Sequence, residues 1–334
     1  MTEREPYWDS LKFVLIALVI LGHVVESDNS RFCITVFNFI YAFHIPLFLF
    51  VSGRFSQIKK DKYRIGIYRL IETYVVFQTL IIVKRIIMQG TFHIEDLWIP
   101  GFNLWYLMTL VFYRLMILVI PQKKIQHITP VLCISFLISL LGGFFSLSDD
   151  LVLSNQRTML LLPIFMLGYY SNRIDVKKYI KCIPIWTAWA AVVILLFVSW
   201  VLASKDINIG FTTCNYAHPC QPSNNLFLNL LTRVLFLCNA CIIGICIMRI
   251  IPNNHLLSAF GSKTMILYIF HAFILVWVIR PAITKGLIPC NNVWLIIYTI
   301  LIIFVLLLFS KLKVSTFLLN PVSNSFKWIK KYIR

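Results

Sequence analysis

Long apolar runs alternate with short polar or basic segments along the whole chain. Runs of about 18 to 22 apolar residues are long enough to cross the hydrocarbon layer of a bilayer as helices. Ten such spans are predicted, at 11–27, 32–54, 69–89, 103–120, 127–146, 158–171, 182–203, 226–249, 263–283 and 292–312. The pattern therefore predicts an all-α, polytopic membrane protein of about ten transmembrane helices, built as a single domain over residues 1–334.

The composition agrees with this prediction and excludes an ordinary soluble domain. Hydrophobic residues make up 59% of the chain, charged residues make up 13%, and the mean hydropathy is +0.82. The net charge of +18 does not indicate nucleic-acid binding, because the Lys and Arg residues cluster between the apolar runs, at 54–69, 123–124, 173–181 and 311–334. Basic loops remain in the cytoplasm and contact anionic membrane lipids, so we expect both termini to be cytoplasmic.

The first apolar run carries ionisable residues near both of its ends. Lys12 and His23 are eleven residues apart, which places both on one face of a helix, about 16 Å apart along its axis. Asp9, three residues before Lys12, is positioned to pair with it. Two interpretations stay open: the residues line a functional path across the membrane, or they only anchor and cap the two ends of the helix.

Two further histidines lie inside predicted spans. His44 lies two residues before Pro46, which should kink the helix and free a carbonyl that must be satisfied within the protein. His44 therefore serves either chemistry or a hydrogen bond to that freed backbone, and His271 serves either chemistry or an interhelical hydrogen bond. A b-type haem is a weaker hypothesis, because no helix carries two histidines spaced on one face, and no cysteine spacing indicates a metal site.

The chain contains nine cysteines, and four of them fall on the predicted outer side: Cys33, Cys214, Cys220 and Cys290. These four can form disulfides in an oxidising compartment, but their connectivity cannot be deduced from the sequence. Two of them lie in the longest predicted loop, 204–225, and loops of that length are usually functional or disordered.

Six short stretches, in order along the chain, resemble the integral membrane acyltransferase family 3, which contains polysaccharide and sugar O-acetyltransferases. They are "YWDSLKFVLIALVILGH" (7–23), "FHIPLFLFVSGRF" (43–55), "IYRLIETY" (67–74), "NLWYLMTLVF" (103–112), "FMLGYY" (165–170) and "FGSKTMILYIFHAFIL" (260–275). The first stretch is similar to the family's pattern of a basic residue, ten positions and a histidine. The third departs from the family, which often has two arginines three apart, because Gly66 precedes Arg69 here.

The resemblance implies an enzyme that moves an acetyl group from cytoplasmic acetyl-CoA to a hydroxyl of a cell-surface or lipid-linked glycan, in the plasma membrane of a bacterium. For this reaction we expect His23 to be the general base or the acyl carrier, and His44 or another polar group to polarise the thioester carbonyl. A histidine suits such a base because its ordinary pKa is about 6.5. The implied donor-binding residues are Lys12, Arg54, Arg64 and Arg69, and the implied acceptor-binding residues are Asn103, Trp105 and His271.

By the same resemblance, acetyl-CoA is a substrate and no cofactor is permanently bound. Two other classes of protein stay open from the residues alone. A polytopic transporter of glycans or small molecules would share the spans and the buried polar groups, although the chain shows no convincing repeat. A structural or receptor-like membrane protein would not require a polar path from the basic end of the first helix to His23.

Overall fold

A computed structural model describes residues 5–58, 61–120, 128–142, 152–205, 207 and 226–325. Within these residues the fold is helical and contains no β-strand. The α-helices are α1 (Pro6–Val25), α2 (Arg31–Tyr41), α3 (His44–Arg54), α4 (Asp61–Gln89), α5 (Trp105–Val119), α6 (Ile128–Leu141), α7 (Asn155–Tyr170), α8 (Val176–Lys181), α9 (Ile185–Ala203), α10 (Leu226–Ile250), α11 (His255–Gly261), α12 (Thr264–Ile274), α13 (Arg280–Thr284), α14 (Asn292–Phe309) and α15 (Lys313–Leu319). A π-helical segment, Leu275–Ile279, joins α12 to α13.

Six helical segments among the described residues are long and apolar enough to cross a membrane. They are Pro6–Val25, Arg31–Arg54, Ile185–Ala203, Leu230–Ile250, Thr264–Thr284 and Asn292–Phe309. The other four predicted spans fall on α4, α5, α6 and α7, and part of the span 127–146 lies outside the described residues. The helical, multi-pass membrane class is thus confirmed, whereas the count of ten and the cytoplasmic termini stay predictions.

Helix α1 lies at the centre of the bundle and packs against α2, α3, α11, α12 and α14. Leu11, Leu15, Ile16 and Ile20 of this helix are fully buried, because neighbouring helices surround their side chains. Lys12 and His23 are only half-buried, so α1 holds two polar groups at the edges of its packed core. A central helix of this kind fixes the position of both groups against several neighbouring helices at once.

The second predicted span, 32–54, corresponds to one segment that can cross the membrane, Arg31–Arg54, and this segment consists of two α-helices. Helix α2 ends at Tyr41 and α3 begins at His44, so the chain breaks its helical hydrogen bonding across Ala42 and Phe43. Pro46 explains the break, because it has no N–H to donate to the carbonyl of Ala42. That carbonyl instead accepts from the side-chain amide of Asn239 at 3.3 Å. His44 therefore starts α3, and it does not satisfy the carbonyl that Pro46 frees.

Glycines bring two pairs of helices into backbone contact. A Cβ atom at Gly53 would lie 2.2 Å from the carbonyl oxygen of Phe165, and one at Gly168 would lie 2.0 Å from that of Phe50. Helices α3 and α7 therefore pack with no room for any larger residue at this crossing. Gly261 does the same between α11 and α1. Small residues of this kind are typical where helices approach closely in membranes.

Candidate functional site

The His23 side chain lies at the end of α1 within reach of a hydroxyl and a carboxylate. Its Nδ1 atom is 3.1 Å from the hydroxyl oxygen of Tyr41 and 3.4 Å from Oε1 of Glu26. The Tyr41 hydroxyl in turn donates to the same Glu26 oxygen. Because this hydroxyl gives its own proton to the carboxylate, its oxygen is left to accept one from Nδ1. We call this arrangement the His–Tyr–Glu cluster.

Glu26 is the first residue after α1, and Arg280 from α13 holds its other oxygen. The Arg280 guanidinium donates to Glu26 Oε2 at 2.8 Å and to the backbone carbonyl of His23 at 3.0 Å. Burial alone would raise the pKa of Glu26, but the charge of His23 and the hydrogen bonds from His23 and Tyr41 outweigh burial. Together with the charge of Arg280, they lower this pKa to about 2. Glu26 is therefore ionised at neutral pH.

These contacts fix which nitrogen of His23 is available for chemistry. With the Nδ1 proton directed at the cluster, the lone pair of neutral His23 lies on Nε2. Within the part of the chain that the structure describes, the polar contacts of the His23 ring are all made by Nδ1, and the side chain is 16% exposed. The cluster therefore leaves Nε2 without a hydrogen bond to the described residues and places a carboxylate where it stabilises the imidazolium ion.

His271 stacks on His23, and the two ring centroids are 5.6 Å apart with an angle of 21° between the planes. His271 Nδ1 is 2.9 Å from the carbonyl oxygen of Leu267, which can only accept, so this nitrogen carries the proton. The Nε2 atom of His271 is buried and has no partner among the described residues. His271 thus presents an unused hydrogen-bond acceptor beside His23.

His44 is tied to the backbone in the same way and contacts the cluster from the side. Its Nδ1 is 2.7 Å from the carbonyl oxygen of Ile40, and its ring centroid is 4.7 Å from that of Tyr41. The side chain is 1% exposed. In this neutral form Nε2 of His44 is an acceptor, so the ring must gain a proton before it can donate to a negatively charged oxygen.

Lys12 and Arg54 come together at the opposite end of α1. The Lys12 ammonium is 3.1 Å from Asp9 Oδ1, as the spacing predicted, and 3.9 Å from the ring centroid of Phe55. The Arg54 guanidinium lies 4.5 Å from the ring centroid of Trp8 and donates to the carbonyl of Ser171 at 2.7 Å. Arg54 therefore also joins α3 to the end of α7.

Arg64 and Arg69 lie on the exposed face of α4. Neither side chain makes a hydrogen bond or an ion pair to the described part of the chain. Gly66, where an arginine was expected from the resemblance, is packed against a guanidinium from another helix. A Cβ atom at this glycine would lie 3.2 Å from a terminal nitrogen of Arg114 on α5.

Of the two other predicted acceptor-binding residues, one is bound to a neighbour of His271. Asn103 is buried and its amide donates to the carbonyl of Tyr268, whose ring lies 6.2 Å from that of His271. Trp105 instead faces the guanidinium of Arg157, 4.8 Å from its ring centroid, and packs against Tyr106.

A row of polar side chains lies between the two ends of α1. Ser52 Oγ is 2.8 Å from the hydroxyl of Tyr106, and the Tyr106 ring is 5.4 Å from that of Tyr268. From Tyr268 the row continues to His271 and His23. Tyr106, Tyr268 and His271 are buried, so the row consists of packed side chains in contact with one another.

Three members of the site were not predicted from the sequence: Glu26, Tyr41 and Arg280. Glu26 carried a usable signal, because a carboxylate three residues after a histidine lies on the same side of a helix. Tyr41 and Arg280 had none, since only the packing of α2 and α13 against α1 brings them to His23.

The fold and this site together define a multi-pass helical membrane protein with an internal histidine–carboxylate cluster. A family model described as an acyltransferase domain matches residues 5–311. The chain therefore belongs to the integral membrane acyltransferase family 3, as its six motifs predicted, and it is a membrane acyltransferase. Neither the curated proteins nor the solved structures contain a match to it.

Proposed function

We propose that this protein transfers an acetyl group from acetyl-CoA, supplied from the cytoplasm at the Lys12 end of α1, to a hydroxyl of a cell-surface or lipid-linked glycan at the His23 end. The observation that carries the proposal is the His–Tyr–Glu cluster. It holds a histidine in the form that a general base requires, about 16 Å along α1 from the basic group that suits a polyphosphate donor.

In a direct transfer, His23 Nε2 takes the proton of the acceptor hydroxyl while its oxygen attacks the thioester carbonyl. The tetrahedral oxyanion then collapses, the carbon–sulfur bond breaks, and the coenzyme A thiolate leaves and receives the proton from the imidazolium. Glu26 stabilises that imidazolium through its position at Nδ1. A group of this kind contributes about 10²–10⁴-fold to a proton-transfer step.

In a two-step transfer, His23 Nε2 itself attacks the thioester, expels the thiolate and forms an acyl-imidazole. The acceptor hydroxyl then attacks the acyl group and the carbon–nitrogen bond breaks. The hydroxyl proton passes to His23 Nε2 and from there to the coenzyme A thiolate. The same free nitrogen serves this route. A rapid quench of the enzyme with labelled acetyl-CoA and no acceptor separates the two routes. One equivalent of label on the protein supports the acyl carrier, and none supports direct transfer.

We assign the stabilisation of the oxyanion to Arg280, which binds the backbone of His23. Its Nε–H is buried and has no partner among the described residues, while another nitrogen of the same guanidinium is anchored to Glu26. A preorganised donor in a water-poor site is the usual means of stabilising such an oxyanion. His44, which the sequence suggested for this role, would serve it only after protonation.

The donor's phosphates suit the basic group of Lys12, Arg54, Arg64 and Arg69, because guanidinium and ammonium groups bind phosphate by charge-assisted hydrogen bonds. The side chains of Arg64 and Arg69 are exposed and can therefore reach the phosphates of a bound donor. In this proposal the thioester arm runs from the Lys12 end of α1 to His23, past the side chains from Ser52 to His271.

Mass spectrometry of cell-surface glycans tests the proposal in the cell. We expect a deletion strain to lose one acetyl group per glycan repeat, and we expect the wild-type protein but not His23→Ala to restore it, with both inserted in the membrane at equal levels. Unchanged acetylation in the deletion strain, with altered glycan export, would instead favour a transporter.

A further inference from the structure

A cleft lies beside the His–Tyr–Glu cluster, between α4 and the π-helical segment. Its volume is about 230 Å³, and its polar and aromatic lining includes Lys84, Arg85, Gln89, Phe102, Asn103 and Trp277. The lining thus combines apolar side chains with aromatic faces, amides and cationic groups, as ligand pockets do. It provides both stacking surfaces and hydrogen-bond donors for a polar ligand.

Phe102 separates this cleft from His23. Its ring centroid is 4.9 Å from that of His23, and its backbone has a φ of 38°, a conformation that residues other than glycine rarely adopt. Left-handed backbone of this kind is held only where the surroundings require it, and it is frequent at functional sites. The inner end of the cleft is thus one aromatic ring away from the candidate base.

The other end of the cleft opens on the lipid-facing surface of the bundle. Met88 is 72% exposed and Trp277 is 39% exposed. Lys84 lies five residues before Gln89, the last residue of α4, or about 7.5 Å along the helix. In the predicted topology that is the depth of the outer headgroups. The π-helical segment carries Trp277, and π-bulges are frequently found at functional sites.

The two cations in the lining differ in their partners. Arg85 forms an ion pair with Asp96. The Lys84 ammonium lies 4.8 Å from the ring centroid of Trp277 and has no carboxylate partner in the ranges that the structure describes. A half-buried ammonium beside an indole, with no anion of its own, is arranged for an anionic ligand that also offers a face for stacking.

We propose that the acceptor enters sideways through this cleft and carries a negatively charged group that binds Lys84, while its sugar ring packs against Trp277 and Phe102. The inference rests on the proposed function, because it assigns the cleft to the acceptor of that reaction. Two acceptors share this chemistry: an acidic sugar, whose carboxylate meets Lys84, and a sugar joined through phosphate to a lipid, whose phosphate does.

The test measures binding of three dodecyl compounds to the purified protein in lipid nanodiscs, without donor. They are dodecyl glucoside, dodecyl glucuronide and the dodecyl ester of glucose 1-phosphate. We expect at least one charged compound to bind about tenfold more tightly than the neutral one, because hydrogen bonds to charged groups are the stronger ones. Tighter binding of the glucuronide would indicate an acceptor with an acidic sugar, and tighter binding of the phosphate ester would indicate a sugar joined to lipid through phosphate.

Two variants locate the effect. Lys84→Gln removes the charge at the cleft and is expected to bind all three compounds with the affinity of the neutral one. Lys285→Gln removes an exposed charge elsewhere on the predicted outer side and is expected to match the wild type. Equal binding of all three compounds by the wild type, or a charge preference that survives in correctly folded Lys84→Gln, would overturn the inference.

The proposed function can fail separately. If labelled acetyl-CoA gives His23-dependent glycan acetylation while the Lys84 charge has no effect on binding, the cleft is not the acceptor site and the reaction stands. If the charge preference depends on Lys84 but no acetyl transfer occurs, the cleft binds anionic glycosides and the proposed reaction is wrong.

Discussion

The imidazole of His23 and the carboxylate of Glu26 lie 3.4 Å apart, from Nδ1 to Oε1, across one turn at the end of α1. Tyr41 bridges the same two atoms, and Arg280 holds the far oxygen of the carboxylate. A carboxylate held at this ring nitrogen orients a histidine base and stabilises its protonated form. Most of the expected behaviour of the enzyme follows from this pair.

Glu26→Gln keeps the size of the side chain and removes its charge. We expect kcat for acyl transfer to fall about hundredfold, because the imidazolium loses its carboxylate partner in the rate-determining proton transfer. The KM for acetyl-CoA should change little, since the change lies far from the basic end of α1. Glu95→Gln, at an exposed glutamate on the same predicted side, is the matched control and should keep wild-type kcat. Equal kcat for the two variants would remove Glu26 from the mechanism.

The stability of the protein against acid should report the ionised Glu26 carboxylate. The pKa of Glu26 is lowered from 4.5 to about 2, so the stability that the ionised carboxylate contributes is fully present above pH 4.5 and is lost as pH falls through 2. The melting temperature of the wild type in detergent should therefore fall as the pH drops from 4.5 to 2. Glu26→Gln has no carboxylate to protonate at this position, so it should lose less over the same range. An equal fall for the two proteins would contradict the pairing.

Arg69→Gln should weaken donor binding without harming the fold. The side chain is exposed and makes no ion pair within the described residues, so its loss leaves no buried group unpaired. We expect KM for acetyl-CoA to rise about tenfold with kcat retained, as for the loss of one charge-assisted contact to phosphate. Arg249→Gln is a poor control because Arg249 binds the carbonyl of Ile183. Lys263→Gln is the better control. An equal rise in the KM for acetyl-CoA in this variant would show that Arg69 acts only through the overall positive charge and not through a contact with the donor.

Gly168→Ala should destabilise the bundle, because the new Cβ would meet the carbonyl oxygen of Phe50 at 2.0 Å. Forcing α3 and α7 apart should cost about 1–3 kcal/mol. The measurement is the melting temperature of the purified protein in detergent. Gly244→Ala is the matched control, since its Cβ would find only ordinary contacts at 3.6 Å or more. Melting at the same temperature for both variants would show that the crossing is more yielding than its geometry indicates.

Much of the fold was predictable because a membrane-spanning helix requires a long run of apolar residues, which is visible in the sequence. Within the described residues each predicted span falls on helix, and the Lys12–His23 spacing placed both residues on α1 correctly. The sequence also predicted a kink caused by Pro46, and the structure places the break at Ala42 and Phe43. A hydropathy pattern records length and polarity, and it does not record which carbonyl a neighbouring helix will satisfy.

The site was predictable only in part, because half of it comes from contacts between distant helices. The sequence supplied His23, His44 and His271, and the structure places these three within one aromatic cluster. Arg280 lies 257 residues after His23, and no local pattern connects them. Among the outer cysteines, Cys33 and Cys290 are free thiols, while Cys214 and Cys220 lie outside the described residues.

The central claim is tested most directly in proteoliposomes whose acceptor glycan is sealed on one side and whose labelled acetyl-CoA is supplied on the other. The orientation of the protein is determined from the accessibility of its C-terminal residues, 311–334, to a protease. His23→Gln is compared with the wild type at equal amounts of folded protein. We predict that label reaches the glycan only when acetyl-CoA faces the Lys12 end of α1, and that His23→Gln lowers the rate by at least about hundredfold. Wild-type label transfer by folded His23→Gln would contradict the account.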